Sequence, residues 1–139
     1  MPEATPEEPM PLRVDRLVVR YGERTAVDHL TFEVRPGEIY GLLGSNGAGK
    51  SSTIKSVVGL VRPSAGRLTV FATDALGAGR RAKALIGYVP ETSLLYESLT
   101  PREFLEFVAS VRRLDPAAGA ARGETLVDAY RLREEFDLP

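Results

Sequence analysis

The 139-residue chain contains no cysteine, which excludes a disulfide framework, a thiolate metal site and a thiol nucleophile. Nor is charge of either sign in surplus: eighteen Lys and Arg stand against nineteen Asp and Glu, for a net charge of -1. Without a global basic field, charge lends no support to a nucleic-acid partner. No apolar run approaches the roughly 18 residues of a membrane span, and the start of the chain lacks the apolar core of a signal peptide, so a soluble intracellular protein is expected. Histidine is scarce as well. The single one, His29, lies between strand-like runs and reads as a surface turn residue. A hydrophobic content of 43% suits one domain or part of a larger one.

What the chain does carry is the stretch 41–52, GLLGSNGAGKSS, which fits the pattern G-x-x-x-x-G-K-[ST] with Gly44, Gly49, Lys50 and Ser51 in register. A glycine-rich turn lets successive backbone N–H groups point at clustered phosphates where side chains would block the approach. The candidate ATP-binding residues are therefore Gly44, Ser45, Asn46, Gly47, Ala48, Gly49, Lys50, Ser51 and Ser52. Lys50 supplies a mobile point charge for the β- and γ-phosphates, and Ser51 offers a hydroxyl oxygen where Mg²⁺ needs a hard ligand. The context agrees. Glu38-Ile39-Tyr40-Gly41-Leu42-Leu43 is an apolar run of strand type, and 53–58 continues as a helix stopped by Gly59. A glycine-rich turn matching by chance would require neither flank.

The remaining chain supplies a setting. Residues 1–11, MPEATPEEPMP, mix Pro with Glu and are expected to form a disordered tail. Over 12–34 the pattern is alternating and β-branched with a turn signal at Tyr21-Gly22, predicting antiparallel strands; Arg35-Pro36-Gly37-Glu38 is the next turn. A further strand is predicted over 67–71. The basic stretch 79–84, GRRAKA, has no interleaved aromatics and reads as a solvated helix face. Residues 85–91, LIGYVPE, read as a short buried strand ending in a loop. Thr100-Pro101-Arg102-Glu103 is a capping box with Pro at the first helical position. Phe104, Phe107, Val108 and Val111 then fall at i, i+3, i+4 and i+7, an apolar stripe expected to be core. Asp115-Pro116 ends that helix and opens another through 124–130, with Gly119 and Gly123 weakening its first turns.

Residues 19–66, VRYGERTAVDHLTFEVRPGEIYGLLGSNGAGKSSTIKSVVGLVRPSAG, closely resemble the first third of an ABC transporter ATP-binding subunit. The resemblance implies an α/β fold over 12–139: a partial P-loop NTPase core with an antiparallel β subdomain and the start of a helical subdomain. It also gives Tyr21 a role. A tyrosine ending a strand is, on composition, ordinary sheet packing, whereas the family places an aromatic residue at this point to stack on adenine, worth about 1–3 kcal/mol per stacked base. A glycine usually stands near Thr73, and its absence implies a modified turn. IGYVPE is similar to the family segment IGYxPQ, whose glutamine reaches Mg²⁺ and the attacking water and whose loop transmits nucleotide state to the membrane subunits. Here the position holds Glu91. A carboxylate ligates Mg²⁺ well but, ionised, cannot donate a hydrogen bond to water; exporters of the ABC-2 type accept it, and Glu91 is expected to be a metal-sensing residue.

The signature motif LSGGQ, the acidic Walker B strand with its catalytic glutamate and the switch histidine are not found in the 139 residues. Hydrolysis needs a carboxylate on the metal, a positioner for water and a second subunit's signature loop, so this chain by itself is expected to bind ATP or ADP with Mg²⁺ and to turn over little or not at all. Lack of the Walker B strand is also expected to leave a hydrophobic strand edge without its partner. What the resemblance implies for the whole subunit is coupling of ATP binding and hydrolysis to transport. Its partners would be transmembrane permease subunits and a second ATP-binding subunit, and its place the cytoplasmic face of the membrane. A non-catalytic nucleotide-binding regulatory or interaction module is the alternative. Another P-loop protein, such as a GTPase or DNA-repair ATPase, is disfavoured by Tyr21, by IGYVPE and by the lack of a guanine-specifying motif.

Overall fold

The structure, a computed structural model, describes residues 9–92, 96 and 98–138. Two compact units divide between Tyr88 and Val89. In the first, strands β1 (Leu12–Tyr21), β2 (Arg24–Val34), β3 (Ala65–Val70) and β4 (Thr73–Asp74) form one antiparallel sheet of order β2-β1-β3-β4. Helix α1 (Lys50–Val57) packs on β1 and β2, and the short α2 (Gly79–Ala84) follows β4. The core is the sheet face bearing Val14, Leu17, Val19, Val27 and Leu68, covered in part by Val57 and Val61.

Strict alternation would turn Arg16 inward and Leu17 outward. A register shift between Val14 and Leu17 reverses this: Arg16 takes φ +47, its N–H donates to Thr31 Oγ1 at 2.9 Å, and Leu17 is completely buried. The inserted residue re-aims the side chains behind it, which is what a β-bulge does. His29, opposite this region on β2, is exposed and also has positive φ, in keeping with a surface position, although it lies within the strand and not between strands.

The expected tail ends earlier than residue 11: Pro11 O accepts the Phe71 N–H at 3.2 Å, tying the entry of β1 to the end of β3, while residues 1–8 lie outside the described residues. The modified turn is real. Phe71 and Ala72 join β3 to β4 with φ +43 and +60, the two-residue geometry glycine usually fills. In α2, Arg80, Arg81 and Lys83 are exposed and Ala82 is buried, the solvated face expected; Lys83 Nζ donates to Gly59 O at 3.0 Å, placing a cation on the chain just past the C-terminus of α1.

Two expected strands are absent. Residues 38–43 and 85–91 have strand-type sequences, but neither is paired in the structure, and Ile39, Leu43 and Val89 are 99%, 93% and 89% exposed. The physical reason is the missing ladder: a strand buried on both faces exists only between neighbours, and among the described residues these runs have none. The first run is held instead at two points: the Tyr40 ring stacks on Phe32 of β2 at 4.9 Å, and the Arg35 N–H donates to Glu38 Oε2 at 2.7 Å.

The second unit contains α3 (Pro101–Val111) and α4 (Pro116–Tyr130). The capping box is formed in both directions, Glu103 N–H to Thr100 Oγ1 at 3.2 Å and Thr100 N–H to Glu103 Oε2 at 2.8 Å. Helix α4 begins where Asp115-Pro116 predicts, and the Asp115 carboxylate accepts the Ala118 N–H at 2.9 Å, capping its first turn. The apolar stripe is not core: Phe107 and Val111 are exposed, Phe104 and Val108 are half-buried, and Tyr96 packs edge-on against Phe107. The α3–α4 contact uses a neighbouring face. A Cβ on Gly119 would stand 3.2 Å from Ala109 Cβ, and one on Gly123 would stand 3.6 Å from Leu105 Cδ1. Glycines that lower helix propensity thus provide the flat surface on which α3 rests, and they select the packed face over the more hydrophobic stripe. Phe136, 4% exposed, closes the unit beneath Arg102, whose guanidinium lies 4.3 Å from the ring centroid and donates to Asp137 at 2.6 Å. Hydrogen bonding to Arg102 holds the Asp137 carboxyl below the usual carboxylate value and raises the guanidinium.

Candidate nucleotide site

The loop 44–49 runs from the end of the unpaired segment into α1, and glycine shapes it. Gly49 has φ +89, and a Cβ there would lie 2.3 Å from the Ala26 carbonyl oxygen and 3.0 Å from Val27 Cγ2. Only glycine lets the start of α1 sit directly against β2, and this fixes the loop relative to the sheet. A turn within the loop is closed by Ala48 N–H donating to Ser45 O at 3.2 Å. Residues 44–48 are exposed, and Gly49 and Lys50 are half-buried, so the loop's surface is open to a ligand.

Helix α1 opens with no side-chain cap and no acidic residue in its first turn. Its N-terminal N–H groups and positive dipole end are therefore left for an anion to satisfy. Thr53 and Ser56 are buried, and their hydroxyls donate back to Gly49 O and Ser52 O at 3.0 and 2.8 Å. Polar side chains satisfied in this way seat the helix on the sheet without spending its free N–H groups. The helix ends where Gly59, at φ +70, reverses the chain, as its sequence predicts.

Lys50 Nζ donates to Gly44 O and Ser45 O, both at 2.7 Å. The ammonium thus bridges the first turn of the loop with two of its three donors. Ser51 is exposed, and its hydroxyl forms no hydrogen bond among the described residues, leaving that oxygen free for a hard cation. Ser52 is half-buried, and Tyr21, at the end of β1 and 48% exposed, donates its hydroxyl to Ser52 Oγ at 3.3 Å. The structure therefore brings Tyr21, remote in sequence, to the first turn of α1. Asn46 is exposed within the loop. Glu91 is exposed in a bend of the second unit, and part of the loop following it, residues 93–95 and 97, lies outside the described residues.

These features fit a magnesium-bound nucleotide. Backbone donors, a lysine and an exposed aromatic face are supplied by the chain; Mg²⁺ takes few protein ligands and several oxygens from phosphate and water, so one free hydroxyl suffices on this side. Sequence reasoning missed Arg24. Its only signal was adjacency to the Tyr21-Gly22 turn, and the structure places its guanidinium against Gly47.

A phosphate-binding loop between an apolar segment and a helix, beside an antiparallel sheet carrying an aromatic residue, defines a nucleotide-binding protein of the P-loop class. Comparison with known proteins narrows the class. The ABC transporter family model matches residues 27–138. The Nod factor export ATP-binding protein I of Ralstonia nicotianae is 38% identical over 128 residues, covering 92% of this chain and 40% of that protein. The probable multidrug ABC transporter ATP-binding protein YbhF of Escherichia coli is 37% identical over 136 residues, covering 98% of this chain and 22% of its own length. Among solved structures, an ATP-binding subunit of an ABC transporter superposes with a TM-score of 0.77 at 33% identity, covering 91% of this chain and 52% of that one. The chain belongs to the ABC transporter ATP-binding family. It spans less than half the length of these curated relatives and about half of the solved subunit, so it represents part of the family's ATPase domain.

Proposed function

We propose that this chain is the nucleotide-binding part of an ATP-binding subunit that powers export through an ABC transporter. The observation that carries the reading is the Lys50 ammonium held at the mouth of a glycine loop whose uncapped helix starts directly behind it. The loop N–H groups orient the polyphosphate, and Lys50 exchanges loop carbonyls for phosphate oxygens. Ser51 is the proposed metal ligand on the loop, Glu91 keeps only the metal-sensing role that the family resemblance implies, and Tyr21 offers its ring to adenine. Bound Mg²⁺ supplies charge neutralisation on the phosphates.

By analogy with relatives named as a Nod factor export protein and a probable multidrug ABC transporter protein, the proposed partners of the whole subunit are transmembrane permease subunits and a second ATP-binding subunit. Its place is then the cytoplasmic side of a membrane, held there through those partners. No helix among the described residues is long and apolar enough to cross a membrane. The chain alone supplies phosphate binding but neither a Walker B glutamate nor a signature loop, and the expected result is nucleotide binding with little or no turnover.

Calorimetric titration with MgATP tests this. Wild type should bind, and Lys50→Ala should lose at least tenfold in affinity, as expected when about 1.5–3 kcal/mol of charge-assisted hydrogen bonding is removed. Equal affinity in the two would sink the binding claim; steady phosphate release abolished by Lys50→Ala would show that the chain hydrolyses after all.

A further inference from the structure

The geometry points to Arg24 as a second cationic contact for the nucleotide's phosphates, reaching them from the β-hairpin while Lys50 reaches them from the helix. This inference rests on the nucleotide-binding reading above.

Arg24 opens β2 and pairs across the hairpin end with Tyr21. That pairing puts a planar cation and an aromatic ring side by side at one end of the sheet, the end at which Tyr21 touches the first turn of α1. The guanidinium then extends over the phosphate loop. A Cβ built on Gly47 would lie 3.5 Å from Arg24 Nη2, and no other non-adjacent heavy atom comes within 4 Å of that point. Arg24 is thus what borders this side of the loop. Gly47 has φ +84, the left-handed region, so no side chain of its own competes for the space.

The charge is not used elsewhere. Arg24 forms no ion pair among the described residues, whereas Arg13, Arg16, Arg102 and Arg133 each pair with a carboxylate. The side chain is exposed. Guanidinium geometry suits phosphate oxygens, two parallel N–H donors meeting two acceptors. Lys50 is a point charge already engaged by two carbonyls; Arg24 is planar, forked and unengaged. Their roles divide accordingly: Lys50 neutralises charge at the loop mouth, and Arg24 fixes the orientation of the phosphate chain between the loop and the Tyr21 ring.

The test is a set of titrations of the 139-residue chain with ATP, ADP and AMP, in wild type, Arg24→Ala, Arg24→Lys and Lys50→Ala. Arg24→Ala should weaken ATP about three- to tenfold, an exposed charge-assisted bond being discounted for solvent. It should weaken AMP less than ATP, and the salt dependence of ATP binding should become shallower, because a phosphate contact has been lost. Arg24→Lys should recover part of the loss. Circular-dichroism melts report whether the hairpin survives, and Arg24→Lys, which keeps charge and stem, carries the test if the alanine variant melts early. ATP affinity and salt slope unchanged in Arg24→Ala, with Lys50→Ala impaired, would overturn the role of Arg24 alone. A loss shared equally by ATP and AMP would overturn it also, showing a general effect on the loop. Wild type without measurable ATP affinity would instead bring down the nucleotide-binding reading, and this inference with it.

Discussion

Replacing Gly49 by alanine tests whether the phosphate loop owes its shape to contact with β2. At φ +89 an L residue costs about 1–2 kcal/mol in backbone strain alone. The new methyl would also lie 2.3 Å from the Ala26 carbonyl oxygen and 3.0 Å from Val27 Cγ2. Neither neighbour can rotate aside. One is strand backbone, and the other belongs to a core side chain that is 6% exposed. Relief requires lifting α1 from the sheet, which loosens Val57 from the core cluster it partly covers; overpacking of this kind costs about 1–3 kcal/mol. The two contributions come to about 2–5 kcal/mol, a large share of the roughly 5–15 kcal/mol that holds a domain together. Gly37 is the control. Its φ is +72 but a Cβ there meets nothing within 4 Å, so Gly37→Ala carries the backbone strain without the collision. Urea unfolding of the two variants isolates the contact: Gly49→Ala should lose at least about 1 kcal/mol more than Gly37→Ala. Equal losses would refute the argument that the loop is wedged against β2.

Three further outcomes follow from contacts in the structure. Tyr21→Ala should weaken ATP binding about tenfold through loss of a stacking surface worth roughly 1–3 kcal/mol. Tyr21→Phe should bind nearly as well as wild type, because the 3.3 Å hydroxyl contact to Ser52 is long and exposed; a large loss in the phenylalanine variant would point to the hydroxyl instead. Gly123→Ala should raise the melting temperature, since a methyl there would sit 3.6 Å from Leu105, an ordinary contact, and helix propensity improves by about 1 kcal/mol; a lower melting temperature would mean that the α3–α4 contact has no room for a methyl. Asp137, hydrogen-bonded to Arg102, titrates below its ordinary value of 3.8 in the folded chain. Its contribution is therefore complete above 3.8 and lost as pH falls through the lower folded value. Asp137→Asn should flatten the acid side of the stability curve, and identical acid limbs in the two proteins would contradict the pairing.

Much of the molecule was legible in local sequence because its causes are local. GSNGAGKSS predicts a loop and a helix start since glycine alone tolerates the left-handed turns and the following residues propagate the helix. Thr100 and Glu103 predict a cap that forms as expected, both partners lying within one turn. The alternation over 12–34 predicts the hairpin. Where the reading failed, the deciding contact was distant. The stripe Phe104, Phe107, Val108, Val111 is more hydrophobic than the face α3 actually packs, yet Gly119 and Gly123 lie one helix away and their flatness chooses Leu105 and Ala109. The runs 38–43 and 85–91 carry strand propensity, but a strand is made by its neighbours, and Ile39 and Val89 remain in solvent.

The sequence by itself thus determined the family to which the chain belongs and the residue types from which phosphate recognition at Gly44 to Ser52 is proposed, with a lysine and a hydroxyl for a magnesium nucleotide. These depend on residue type at fixed spacing, which folding does not change. Only the tertiary structure decided which side chains share that site. Tyr21 is 31 residues from Ser52, yet touches it, and Arg24 stands over Gly47. The reason is that antiparallel pairing of β1 and β2 fixes where the hairpin ends, and seating Gly49 against Ala26 fixes where the loop lies. Neither distance can be computed from spacing along the chain, because both are set by contacts between elements that come together only when the sheet and α1 pack.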